Sequence, residues 1–193
     1  EDVFSVLAGL QNKAVVIRST VLPGTTAMMQ DKYPRLKVLF NPEFLTEAVA
    51  VEDFLHPDKQ LVGYTAASKT VAEEVLALLP NAPCKKIMTA GEAEMVKYMV
   101  NNYYALKVIF ANQIYDICQA AGLDYENVKQ GFIADKRVFN SHLEIFHKGS
   151  RGFGGKCLPK DLYSMIDFAL AHGANPALLE KVKEINLILK PNK

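Results

Sequence analysis

One periodic segment limits what this chain can fold into more than any other feature. From about Glu92 to Ala121, apolar side chains recur at helical spacing: Met95, Met99, Tyr103, Leu106, Ile109, Phe110, Ile114 and Ile117. They lie nearly all round the axis, and Gly122 ends the pattern. A helix of that length would span roughly 45 Å at about 1.5 Å per residue. A helix apolar on most sides has to be covered on most sides. The pattern therefore predicts a helical domain with a second subunit packed on the 92–121 helix, that is, a homodimer.

The chain ahead of this helix reads differently. Residues 1–11 look like the tail of a helix. Ala14–Ser19 (AVVIRS) is a β-branched run stopped by Pro23 and Gly24, after which Thr25 or Thr26 can cap a helix. Lys37–Phe40 (KVLF) and Gln60–Tyr64 (QLVGY) are further short strands, and Ser68–Leu79 is an amphipathic helix with Ser68 as its N-cap. Strands alternating with helices predict an α/β layer with a partly parallel sheet. Pro80-Asn81-Ala82-Pro83 breaks regular structure, and the expected domain boundary falls just after it, giving domains 1–83 and 84–193. Beyond the long helix come a short helix at Asp124–Phe132 and a basic, Gly-rich stretch over 136–156. A helix from Leu158 to about Ala171 and a last one opening at Asn175-Pro176 follow. The chain contains neither repeats nor low-complexity segments.

Composition narrows the class. Half of the residues are hydrophobic and 22% are charged, enough for a real core. No run of 18 apolar residues is present, so no membrane partner is expected. The net charge of +1 (22 − 21) gives no support to nucleic-acid binding. Residues 1–83 carry 7 basic and 10 acidic side chains (−3) and residues 84–193 carry 15 and 11 (+4), which makes the second half the better place for an anionic ligand. The three cysteines, Cys84, Cys118 and Cys157, are too far apart for a disulfide framework or a zinc site. Metal is not expected, and a reduced, cytoplasmic protein is. The first residues (EDVFSVLAGL) lack a basic n-region, and the chain opens without Met, inside an apparent helix, as a piece of a longer protein would.

The strongest chemical signal is RGFGGKCLPKD at Arg151–Asp161. Gly152, Gly154 and Gly155 allow close backbone approach to a ligand. Cys157 stands just before a predicted helix, where free N–H groups, Lys156 and Lys160 favour a thiolate, with Asp161 one turn on. The plainer explanation is a surface loop with a small hydrophobe at 157. Glu43 and Glu47, in NPEFLTE, follow a strand's C-terminal end and would share a helical face, as proton-transfer carboxylates can. Alone, they read better as acids stabilising a helix start. Lys97 and Asn101, one turn apart in an apolar helix, would suit an oxyanion, or else a snorkelling lysine and a core asparagine. Ser19 and Thr20 lie at a strand end, where hydroxyls more often cap turns. His142 and His147 have no metal-ligand spacing and read as loop residues.

Together, VVIRSTVLPGT, NPEFLTEAVAVEDFLHPDKQLVG, EAEMVKYMVNNYYALKVIFANQI and GFGGKCLPKD resemble the UDP-glucose/GDP-mannose dehydrogenase family, in that family's order and over most of residues 14–170. The resemblance implies the C-terminal part of a Rossmann-like domain followed by an all-α central dimerisation domain with one long helix. It also implies oxidation of a sugar C6 alcohol to an aldehyde and then a carboxylate, with NAD as cofactor and a nucleotide sugar, UDP-glucose first, as substrate. By that resemblance Cys157 is the nucleophile, passing through a thiohemiacetal and a thioester. Lys97 and Asn101 stabilise the oxyanion, and Asp161 positions water with Thr20. Glu43 is the acid/base of thioester hydrolysis. Ser19, Thr20, Glu47 and Lys160 are cofactor contacts. Glu43, Phe44, Leu45, Glu47, Lys97, Asn101, Phe153 and Gly154 line the substrate, and Arg137 reaches the substrate of the neighbouring subunit.

Two departures qualify what carries over. The family's GxGxxG fingerprint and C-terminal nucleotide-sugar-binding domain are not in these residues, so NAD binding by this piece alone is expected to be weak or absent. The stretch between Arg137 and Gly152 also looks longer than in well-known members. Competing readings are a GDP-mannose or other UDP-sugar dehydrogenase and a catalytically inactive dimerisation piece. A cysteine hydrolase would need His142 or His147 beside Cys157, and no orienting side chain is evident.

Overall fold

The computed structural model describes residues 2–7, 9–147 and 149–190, with the side chains of Asp2 and Glu47 outside the description. The chain divides into two compact units, Glu1–Lys97 and Tyr98–Lys193.

In the first unit, α1 (Asp2–Leu7) precedes β1 (Ala14–Ile17), α2 (Thr25–Lys32) and β2 (Lys37–Phe40). A 3-10 turn at Glu47–Val49, α3 (Ala50–Leu55) and β3 (Lys59–Tyr64) follow. A second 3-10 turn at Lys69–Val71, α4 (Ala72–Leu78) and β4 (Cys84–Thr89) complete the sheet. The strands lie in the order β1-β2-β3-β4. β1 and β2 are parallel, as are β3 and β4, while β2 and β3 are antiparallel. The two central strands are covered on both faces, which is why they read as unbroken apolar runs. Val38 packs with Phe4, Met29 and Leu36 on one face, and Leu39 packs with Val62, Ala72 and Val75 on the other.

Several local expectations change. The first strand stops at Ile17, short of Ser19. Neither Thr25 nor Thr26 caps α2; the N-cap is Gly24, at φ 95°. Ser68 stands at the expected N-cap but makes no capping bond; its hydroxyl donates to Val38 O at 2.7 Å. β4 was not expected at all. It is an edge strand with exposed Lys85 and Lys86, so no apolar run marks it. It pairs with β3 along its whole length, so the first unit continues past Pro83, where the sequence placed the boundary.

The long helix is α5, Ala90–Ala121, 32 residues. It ends as Gly122 implied: Gly122 takes φ 68° and Leu123 N–H donates to Cys118 O at 2.8 Å, closing the last turn. α6 (Tyr125–Ile133), α7 (Leu158–Ala171) and α8 (Ala177–Leu189) complete the second unit. Asp124 caps α6 by accepting from Glu126 N–H at 2.9 Å. Within this unit α5 serves two cores. Ala105, Val108 and Ile109 pack with Phe153, Leu162, Ile166 and Val182; Ala111 and Cys118 pack with Tyr125, Leu143 and Ile145.

In the single chain α5 is not buried on most faces. Met99, Tyr103, Phe110 and Ile117 are 72, 57, 49 and 61% exposed. They form one stripe along the helix, because Tyr103, Phe110 and Ile117 are seven apart.

Candidate functional site

In the first unit the candidate residues gather at one sheet edge. β1 and β2 are parallel, with Ile17 opposite Phe40, so the chain leaves both strands on the same side. Ser19 and Thr20 follow one strand end and Asn41–Leu45 the other, where open α/β sheets bind ligands. Ser19 is exposed and Thr20 half-buried. Arg18 Nη2 lies 3.1 Å from Glu43 Oε1, and both side chains are partly open to solvent. Antiparallel β3 begins at this edge and brings Lys59 Nζ to 4.1 Å from the Phe44 ring centre. Lys97 Nζ stands 5.4 Å from the same ring, and Leu45 is partly exposed beside it in sequence. Both ammonium groups are within cation–π range of Phe44.

Lys97 arrives there because α5 starts against β3. A Cβ on Gly63 would lie 2.8 Å from Ala90 Cα and 2.9 Å from Ala93 Cβ, so only glycine permits that approach. One turn before Lys97, the buried Glu94 accepts from Gly24 N–H at 2.7 Å, Thr26 N–H at 2.8 Å and Thr26 Oγ1 at 2.6 Å. Glu94 thus supplies the cap that Thr25 and Thr26 do not.

The shared helical face expected of Glu43 and Glu47 does not form. Residues 41–46 are irregular and Glu47 opens a 3-10 turn, so no α-helical face is shared. The side chain of Glu47 lies outside the described residues.

In the second unit the structure brings together Asn101, Asp161, Lys160 and Cys157. Asp161 is 1% exposed, and its carboxylate accepts from Asn101 Nδ2 across α5 and α7 and pairs with Lys160 Nζ at 2.8 Å. A carboxylate buried to this degree is costly unless paired in this way. Burial works against charge on Lys160, but its bond to Asp161 and the charges of Asp161, Tyr98 and Cys157 outweigh that and raise its pKa. Cys157 is exposed and is the N-cap of α7, with its carbonyl accepting from Asp161 N–H at 2.9 Å. Pro159 in the first turn holds the helix start without needing a hydrogen-bond acceptor for its missing N–H. Phe153 is buried, and Gly154 stands beside Lys190, the residue that follows α8.

Arg137 is not part of that group. Its guanidinium is 88% exposed and forks onto Asp135, at 2.9 and 2.6 Å. It lines a groove of about 700 Å³ with Tyr103, Lys107, Phe110, Phe132 and Phe139, on the exposed stripe of α5. His142 stacks on Tyr104 at 4.1 Å, and burial followed by the charge of Lys107 lowers its pKa. His147 pairs through its backbone with Ser150. Neither placement provides a base for Cys157. Among the described residues no three His, Cys, Asp or Glu side chains converge on a metal site, and no helix is long and apolar enough to cross a membrane.

The sequence reading missed Arg18, Glu94 and Asn186. Glu94 looks like one more charged residue of the helix, between Glu92 and Lys97. Asn186, inside the apolar run of α8, carries the same signal that singled out Asn101: a polar side chain on a buried face.

Comparison with known proteins matches two successive stretches of the chain to one family. Residues 91–187 match the central domain of the UDP-glucose/GDP-mannose dehydrogenase family, and residues 3–79 match that family's NAD binding domain. The UDP-glucose 6-dehydrogenase of Rickettsia prowazekii is 33% identical over 184 residues, covering 92% of this chain and 42% of the relative. That of Haloferax volcanii is 35% identical over 188 residues, covering 89% of this chain and 42% of the relative. A UDP-glucose dehydrogenase from Pyrobaculum islandicum superposes with a TM-score of 0.81 at 32% identity, over 94% of this chain and 43% of its own. The chain thus spans about two fifths of the length of these relatives.

Proposed function

The chain belongs to the UDP-glucose/GDP-mannose dehydrogenase family, and from that premise we propose that the whole protein oxidises the C6 alcohol of a nucleotide sugar, UDP-glucose, to the carboxylate. NAD, when bound, accepts the hydride of each oxidation. The hydroxyls of Ser19 and Thr20, just past the end of β1, fit a cofactor contact, and Lys160 is the cation that family likeness assigns to it. Glu47 has that role only by family likeness.

The chain's own residues carry the second oxidation. The Cys157 thiolate adds to the aldehyde carbon; a C–S bond forms and the carbonyl pair moves to oxygen. Lys97 and Asn101 stabilise that oxyanion. Once hydride has left the same carbon, a thioester remains. Water adds to it, with Asp161 and Thr20 orienting the water and Glu43 taking its proton. The C–S bond then breaks, releasing the thiolate and the carboxylic acid, which gives up its proton to solvent to become the carboxylate. Phe44, Leu45, Phe153 and Gly154 line the sugar nucleotide.

The observation that supports this reading best is Asp161: buried, held by Asn101 and Lys160, and one turn from an exposed cysteine at a helix start. Mass-mapped iodoacetamide labelling tests it. Cys157 should alkylate faster than Cys84, which is also exposed but lies on β4. Equal rates, or full turnover to the acid by Cys157→Ala in the whole protein, would defeat the nucleophile assignment.

The exposed stripe of α5 supports a homodimer through that helix, with Arg137 serving the partner's site. It also supports a second reading, in which this stretch by itself is an inactive dimerisation core; a dehydrogenase assay on this chain and on the whole protein separates the two. Free thiols at Cys84, Cys118 and Cys157 favour a reducing compartment, the cytoplasm.

A further inference from the structure

The loop that delivers Cys157 is held by α8, to which no role has been assigned. Asn186 is buried, and its carboxamide pairs with both backbone groups of Phe153: Phe153 N–H donates to Oδ1 at 2.8 Å, and Nδ2 donates to Phe153 O at 3.0 Å. The side chain thus acts as a strand would, satisfying the donor and acceptor of a residue in no sheet. Gly152 makes room for it. Gly152 has φ 69°, and a Cβ there would lie 2.6 Å from Asn186 Oδ1. Directly after α8, Lys190 lies against Gly154.

The other end of the loop is fixed to the same helix by packing. Leu158, directly after Cys157, packs on the core that Phe153, Leu162 and Val182 share, as do Leu179, Ile185 and Leu189 of α8. Residues 154–157 therefore form a short strap between two anchored points, with the thiol at its end. We propose that Asn186 is a positioning residue for the nucleophile: it sets where the strap begins, and so how the strap presents the Cys157 thiol at the start of α7. This rests on the reading of Cys157 given above. Asn186 itself bonds the backbone of Phe153 and takes no part in the chemistry.

The test compares iodoacetamide labelling of Cys157 with that of Cys84 in the same sample of this chain, Cys84 being the internal reference. Asn186→Ala should lower the Cys157-to-Cys84 rate ratio by about threefold or more, because a reactive group loosened by its supporting shell loses its productive geometry. Asn186→Asp keeps the acceptor for Phe153 N–H and loses the donor, and should fall between. Gly152→Ala should lower the ratio in the parent and have a smaller effect in the Asn186→Ala background, where the clash is gone. Tyr125→Phe is the control for lost stability: it removes a buried bond to Leu143 O, 2.8 Å long, in the other core of the unit, and should lower Tm and leave the ratio alone. If Asn186→Ala does not fold, Asn186→Asp and Gly152→Ala carry the comparison. A change smaller than about threefold in Asn186→Ala, an unchanged ratio in Asn186→Asp, or an equal change in Tyr125→Phe overturns the proposal. If Cys157 in the unaltered chain labels no faster than Cys84, the nucleophile reading itself falls and takes the positioning role with it.

Discussion

Glu94 ties α5 to the start of α2 through hydrogen bonds from Gly24 N–H, Thr26 N–H and the Thr26 hydroxyl. An N-terminal turn has N–H groups with no partner inside the helix, and a carboxylate there is favoured by the helix dipole as well. Glu94→Ala would bury these donors without an acceptor. At roughly 1–3 kcal/mol per unsatisfied group, the loss should reach about 3 kcal/mol or more, while Glu94→Gln, which keeps one acceptor, should cost about half as much. Urea unfolding of the two variants measures both. Equal, small losses would mean that solvent replaces Glu94 and that it is no anchor. Thr26 shows what sequence can and cannot locate here. A hydroxyl before a helix predicts a cap, but the acceptor comes from 68 residues further along the chain and Thr26 becomes a donor to it.

At the scale of elements, α6 is joined to the 138–151 loop through one buried cation. Lys129 is only 5% exposed and pairs with Glu126 at 2.8 Å and Glu144 at 2.7 Å. Its pKa is raised, first by the bond to Glu126 and then by that to Glu144. The Glu126 carboxyl is lowered by its bonds to Lys129 and Gln130. A carboxyl whose pKa is lower in the folded state than in the unfolded chain binds fewer protons when folded, so it stabilises above the unfolded value and stops doing so as pH falls through the folded one. Glu126→Gln should therefore lower Tm at pH 7, and the difference should close on acidification below the ordinary glutamate range, near 4.5. Thermal melts across that range check it; a gap independent of pH would assign the effect to packing. This link also explains why the loop, legible only as basic and Gly-rich, has a definite place beside α6: its anchors are Lys129 and the Tyr125 hydroxyl, both on the neighbouring helix.

For the whole molecule the deciding feature is the apolar stripe of Met99, Tyr103, Phe110 and Ile117, which the second unit of one chain leaves open. Side chains repeating every seven residues on a long helix suit packing against another helix. A charge in the stripe would be desolvated on association, so Phe110→Asp should abolish the dimer and leave the fold intact, since Phe110 is already half exposed. Sedimentation at tens of micromolar should give twice the chain mass for the parent and the chain mass for the variant. A monomeric parent would remove the dimer from the proposal.

Local composition determined much of this protein. The strands KVLF and QLVGY, the helix opening at Leu158-Pro159, the stop at Gly122 and the chemical content of the RGFGGKC loop follow from β-branched runs, proline, glycine and helical spacing. Those signals act within a few residues, which is why they are legible. Tertiary structure decided what depends on partners distant in the chain. β4 is a strand because β3 offers it a ladder. Glu43 and Glu47 do not share a helical face, because residues 41–46 fold as an irregular segment followed by a 3-10 turn. Asn101 meets Asp161 only when α5 lies on α7. Asn186 is legible as a polar residue in an apolar helix, but its partner, the backbone of Phe153, is 33 residues away and presents the same amide as every other residue. A backbone hydrogen bond leaves no mark on the sequence of the residue that makes it, and so only the folded chain could identify that contact.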